Sequence, residues 1–122
     1  MLKNIDNYIG ETLKSLLYST IPEYKLTHDN IFKNDGIYLF MSDFAEDLGK
    51  KLIKGDSLNY VKEAFQYINL LGESNNLEVI NIVRIGILEI LYTTKGLNKN
   101  IVKNLLCDKL KDMFDEFDNY YQ

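Results

Sequence analysis

Apolar residues recur at spacings of three and four from the start of the chain. Leu2, Ile5, Ile9, Leu13 and Leu16 share one face of a helix that this pattern carries from Leu2 to about Ser19, with Pro22 just beyond. From Ile21 to Gly36 no period is sustained. Pro22, Asn30, Asn34, Asp35 and Gly36 favour turns, so the pattern predicts a long connection there. Connections longer than about 12 residues inside a compact domain are often functional, which makes this one a candidate surface.

A second helix is predicted from Ile37 to Lys54, with Ile37, Met41, Phe44, Ala45, Leu48 and Leu52 on its core face and Gly55 as its stop. Asp56 or Ser57 caps a third, whose stripe of Leu58, Val61, Phe65, Ile68 and Leu71 ends at Gly72. Asn75 or Asn76 caps a fourth. Its main stripe is Leu77, Ile80, Val83, Ile87, Leu88 and Leu91, while Val79, Ile82, Ile85 and Ile90 fill most of the other side, so this helix is expected to be central. Its β-branched residues also suit a buried strand, but a run of about 16 residues without a turn signal favours helix. Gly96 closes it and Asn98 caps a fifth, with Val102, Leu106, Leu110, Met113, Phe117 and Tyr121 on the core face. The fold class read from this pattern is all-α: a single domain over residues 1–122, built as a compact bundle of about five helices. A HEAT-like stack of helix pairs is the structural alternative.

Composition narrows the chemistry. At 122 residues, with 46% hydrophobic and 26% charged positions, the chain can fill one core without disulfides. One Cys and one His argue against cysteine-ligated metal sites and most histidine-centred catalysis. A Cys107/His28 dyad lacks any hint of an activated thiol, and the glycines are isolated rather than gathered into a phosphate loop; Gly10 and Gly86 lie inside helices, where close helix approach is the usual reason. The expectation is a protein that is not an enzyme and carries no cofactor. Fourteen Lys plus Arg against 18 Asp plus Glu give a net charge of -4, and Arg84 is the single arginine. Both facts argue against direct nucleic-acid binding, which needs a basic footprint. The N-terminus lacks the apolar core of a signal peptide, Val79 to Tyr92 is too short and polar to cross a bilayer, and a lone cysteine suits a reducing compartment. A cytoplasmic protein without membrane contact is expected. Abundant Asn, Lys and Ile suit an AT-rich bacterial or phage genome.

Four features are candidate binding chemistry. Asp108, Asp112 and Asp115 share one helical face; Mg²⁺ binding would need facing ligands that the sequence does not name, which leaves a solvated face or an acidic surface for a basic protein. On the second helix Asp43, Glu46, Asp47 and Lys50 lie off the core stripe beside Leu39 and Ile53, as at an interface, unless the long connection covers them. Tyr60 and Tyr67 stand at i and i+7 off the stripe of the third helix, near Glu63 and Leu70, and read either as interface anchors or as the edge of the core. Arg84 falls within the apolar stripe of the fourth helix, where a buried salt bridge to Asp43, Asp47 or Glu73 is the favoured reading over an anion site.

The segments Asp35-Gly-Ile-Tyr-Leu-Phe-Met-Ser-Asp-Phe-Ala-Glu-Asp-Leu48, Phe65-Gln-Tyr-Ile-Asn-Leu-Leu-Gly72 and Glu78-Val-Ile-Asn-Ile-Val-Arg-Ile-Gly-Ile-Leu-Glu-Ile-Leu91 resemble a family of small bacterial all-helical proteins of unassigned function. Some members are similar to immunity proteins of polymorphic toxin systems. The likeness runs from about Asp35 to Tyr121 and consists of apolar spacing plus the Ser-Asp-Phe-Ala step. It implies a cytoplasmic protein that binds and neutralises a cognate toxin, often a nuclease. The partner-binding residues expected on this reading are Leu39, Asp43, Glu46, Asp47, Tyr60, Tyr67, Asp108, Asp112 and Asp115. A self-associating scaffold, with a homodimer built on the same Tyr and Leu positions, is the alternative.

Overall fold

A computed structural model describes residues 2–28 and 36–121, with the side chains of residues 9–25 and 36–121. Among them every regular element is helical. Helix α1 spans Leu2–Thr20, α2 spans Pro22–His28, α3 spans Ile37–Lys54 and α4 spans Leu58–Gly72. Helix α5 is continuous in three parts: α-helical Leu77–Asn81, π-helical Ile82–Leu88 and α-helical Glu89–Tyr92. Helix α6 (Lys99–Leu105) and α7 (Asp108–Glu116) follow, with a 3-10 turn at Phe117–Asn119.

Local chemistry sets most of the ends. Gly55 adopts φ 73°, a left-handed conformation that suits glycine, and its N–H returns to the Lys51 carbonyl at 2.9 Å, closing α3. Asn76 Oδ1 accepts from the N–H groups of Glu78 at 2.8 Å and Val79 at 3.2 Å, opening α5. Asn98 opens α6 in the same way, accepting from the Asn100 N–H at 2.9 Å. Ser57 precedes α4 without a side-chain cap.

Helix α3 is the centre of the bundle. It packs against α1, α4 and the last two parts of α5, and it buries Phe40, Met41, Phe44, Ala45, Leu48 and Leu52. Gly86 permits the approach of α5: a Cβ there would lie 3.1 Å from the Met41 Cβ. An aromatic cluster fills the space between α1, α2 and α3, where Tyr24 meets Phe40 and Phe44 edge-on at 5.9 and 5.6 Å and Phe44 meets Tyr67 at 5.9 Å. A second cluster, Tyr92 with Phe114, Phe117 and Tyr121, pins the C-terminal turn to the end of α5.

Four expectations are corrected. The segment from Ile21 is not all connection: Pro22–His28 forms α2, anchored by the buried Ile21 and Tyr24. Proline at the first helical position followed by Glu23 is a start signal that outweighs its turn propensity. Asn30, Asn34 and Asp35 lie outside the described residues. Secondly, the fourth predicted helix is not enclosed all round, since Leu77, Arg84 and Ile85 of α5 are exposed. Thirdly, the fifth predicted helix is two helices. Leu106 is extended (ψ 147°), and the Asn69 side chain holds the break, donating to the Leu105 carbonyl at 3.0 Å and accepting from the Cys107 N–H at 2.9 Å. Fourthly, the buried face of α4 is Tyr60, Ala64, Phe65, Tyr67, Ile68 and Leu71, whereas Leu58 is 79% exposed. Packing of α1 and α3 against α4 turns the helix toward its tyrosines.

Candidate functional site

Carboxylates gather where α2, α3 and the start of α4 meet. Asp43 and Asp47 are one turn apart on α3, Glu23 opens α2, and Asp56 precedes α4. A cleft of about 450 Å³ lies between the start of α2 and the start of α4, lined by Glu23, Asp56, Ser57, Leu58, Asn59 and Tyr60. Asp43 and Asp47 stand on α3, and each accepts from a tyrosine. The Tyr24 hydroxyl donates to Asp43 at 2.5 Å, and the Tyr60 hydroxyl donates to Asp47 at 2.8 Å.

The phenols register the field of these acids. Burial pushes the Tyr24 hydroxyl far above its ordinary range, and its hydrogen bond to Asp43 adds to the shift. Tyr60 is raised in the same direction by burial, by its bond to Asp47 and by the charges of Asp47, Glu23 and Asp43. Both stay neutral donors. Lys51 is the cation paired within the cluster: its Nζ lies 3.1 Å from Asp47 Oδ2 and 4.6 Å from the centre of the Tyr60 ring. The junction thus carries four carboxylates; Asp43 and Asp47 accept from buried phenols, and Asp47 also pairs with Lys51.

The residues of α3 and α4 predicted to contact a partner divide into three groups. Leu39, 51% exposed, and the exposed Glu46 and Ile53 stand on the outer face of α3 as expected. Asp43 and Asp47 are half-buried and accept from tyrosine hydroxyls. Tyr60 and Tyr67 are 3% and 1% exposed, so the anchor reading is corrected: both are core residues. The Tyr67 hydroxyl donates to the Leu13 carbonyl at 2.8 Å and ties α4 to α1; burial holds this hydroxyl well above its ordinary range.

The acids of α7 do not form one concerted face. Asp115 pairs with Lys103 of α6 at 2.5 Å, Asp108 lies 3.9 Å from Lys111, and Asp112 is exposed. Among the described residues no three His, Cys, Asp or Glu side chains come together to hold a metal ion. Cys107 is half-buried at the break before α7, not in mid-helix, and the side chain of His28 lies outside the described residues. Arg84 is corrected as well: it is exposed and makes no ion pair among the described residues, while Asp43 and Asp47 are occupied by tyrosines. Glu23 and Tyr24 fall in the stretch 21–36 that the pattern reads as loop, and Asp56 reads there as a helix cap. Glu23 following Pro22 was the signal that could have placed the first two.

These helices define an all-α bundle with an acidic cleft at one helix junction. The chain belongs to the family described as domain of unknown function DUF7674, whose model matches residues 14–122. No curated protein and no solved structure matches it. Among the described residues, no helix is long and apolar enough to cross a membrane.

Proposed function

We propose that this protein is a non-enzymatic, cytoplasmic immunity protein that neutralises a basic toxin, most simply a nuclease, by direct binding through the acidic cleft. The observation that carries this reading is the placement of Glu23 and Asp56 on a groove of about 450 Å³, with Asp43 and Asp47 of the adjoining α3 held by tyrosine hydroxyls. A toxin that handles nucleic acid must present a basic surface to phosphates, and an acidic cleft competes for that surface. The tyrosine hydrogen bonds orient two of the acids before the partner arrives, so little ordering is left to offset binding. Leu39 and Ile53, exposed on α3, supply apolar contacts beside the charges.

Co-expression with the product of the neighbouring gene tests the reading. If that product halts growth when expressed alone, the native chain restores growth, and the double variant Glu23→Lys, Asp56→Lys does not. A harmless neighbour, or a charge-reversed variant that protects equally well, contradicts it.

One observation favours a second reading, a self-associating scaffold. A groove of about 400 Å³ between α4 and the end of α6 is lined by Leu58, Val61, Phe65 and Leu105, with Lys62, Gln66 and Asn69 at its edge. A solution mass that rises with protein concentration would support that reading.

A further inference from the structure

Arg84 projects from a widened turn. A period of 3.6 places it in the apolar stripe between Ile80 and Ile87, yet it lies in water while Ile87 and Leu91 are buried. The π-helical stretch Ile82–Leu88 accounts for the difference. The Glu89 N–H reaches back five residues to the Arg84 carbonyl, and the extra residue in the turn carries Arg84 and Ile85 outward while Val83 and Gly86 stay inside. Such insertions recur at functional sites.

Beside the widened turn is a second pocket, of about 270 Å³, between α5 and the end of α7. Ile85, Met113 and Phe117 give it an apolar body; Arg84, Glu89, Glu116 and Tyr120 form its polar edge. Glu89 is engaged by the Tyr121 hydroxyl at 2.5 Å. The guanidinium of Arg84 is therefore an open two-pronged donor for a carboxylate. Glu89 and Glu116 make a bare anion unwelcome there, and they favour an anion whose neighbouring atom carries N–H groups.

We propose that this pocket binds an apolar amino acid through its α-carboxylate end: the carboxylate on Arg84, the α-nitrogen toward Glu116 and Glu89, and the side chain on Ile85, Met113 and Phe117. Its volume suits one such residue and lies just under the roughly 300 Å³ at which pockets for larger organic ligands begin. A free amino acid and the last residue of a polypeptide share this chemistry.

Calorimetry on the full chain separates the two sources and tests the site. The probes are L-leucine, L-methionine, L-phenylalanine, the acetylated peptide Ala-Ala-Phe with a free carboxylate, and the amide of each. One saturable site is expected for a carboxylate probe. Preference for the amino acids identifies the free form as the ligand, and preference for the peptide identifies a chain end. The matching amide binds at least about tenfold more weakly, the loss of one charge-assisted pair. Arg84→Met abolishes the preference for carboxylate over amide while leaving the unfolding midpoint in place, since Arg84 is exposed. No saturation at about 10 mM, ten times a weak dissociation constant of about 1 mM, overturns the proposal. So does binding that is indifferent to Arg84→Met or to loss of the carboxylate.

Discussion

Tyr67 shows how much one hydroxyl decides. Its ring fills the space beside Phe44, and its hydroxyl donates to the Leu13 carbonyl as a second bond beside the one that carbonyl makes within α1. Tyr67→Phe keeps the ring and removes the bond that ties α4 to α1, so urea unfolding should show a loss of about 0.5–1.5 kcal/mol with partner binding unchanged. A variant as stable as the native chain would contradict the structural role assigned to this hydroxyl. Three buried phenols also make the protein sensitive to alkali. Tyr24, Tyr60 and Tyr67 all titrate above their ordinary value in the folded state, chiefly through burial. Their contribution is complete below about pH 10 and is lost as pH rises above it, because the unfolded chain releases these protons first. Each should remove about 1.4 kcal/mol of stability per pH unit there. Urea midpoints measured between pH 8 and pH 11.5 check this, and a flat profile would contradict it. Periodicity could not place these tyrosines, because their inward turn depends on acceptors from α1 and α3 that lie far away in sequence.

Among the elements, the helices whose ends carry their own chemistry were legible. Gly55 ends α3, and Asn76 and Asn98 open α5 and α6, at the positions the pattern marks. The elements that were not legible owe their shape to distant residues or to short length. Helix α2 has seven residues, too few to display a period. The break between α6 and α7 has no Gly or Pro to announce it and is held by Asn69 from α4. Asn69→Ala should therefore leave the Leu105 carbonyl and the Cys107 N–H unsatisfied and cost about 1–3 kcal/mol. It should also speed hydrogen exchange at Cys107 and along the first turn of α7. Unchanged exchange there would show that the break holds without the clamp. The widened turn of α5 was equally hidden, since a 3.6-residue period cannot register an inserted residue, and so Arg84 was read as buried.

At the scale of the whole molecule, the proposed function has the acids of α3 and the residues around α2 and α4 act as a field rather than as separate contacts. Half of the acidic cluster was legible: Asp43 and Asp47 stand one turn apart on α3 in the sequence itself. The other half, Glu23 and Asp56, joins it only because α2 and the start of α4 converge on α3. The aspartates of α7 stay apart from one another's work, with Asp115 committed to Lys103. That pair raises the Lys103 ammonium above its ordinary range, and the hydrogen bond to Asp115 is the main cause. The central claim is that the cleft steers and holds a basic protein. Steering by opposite charge speeds association and fades with salt, because a Debye length of about 10 Å at 0.1 M screens it. The decisive measurement is the association rate of the purified chain with the product of the neighbouring gene, the proposed partner, against ionic strength, for native protein and for Glu23→Gln, Asp56→Asn. The account predicts a native rate that falls at least about tenfold between 0.02 M and 0.5 M salt and a weaker slope in the variant. An association rate indifferent to salt, or a slope unchanged by removing the two cleft acids, would contradict it.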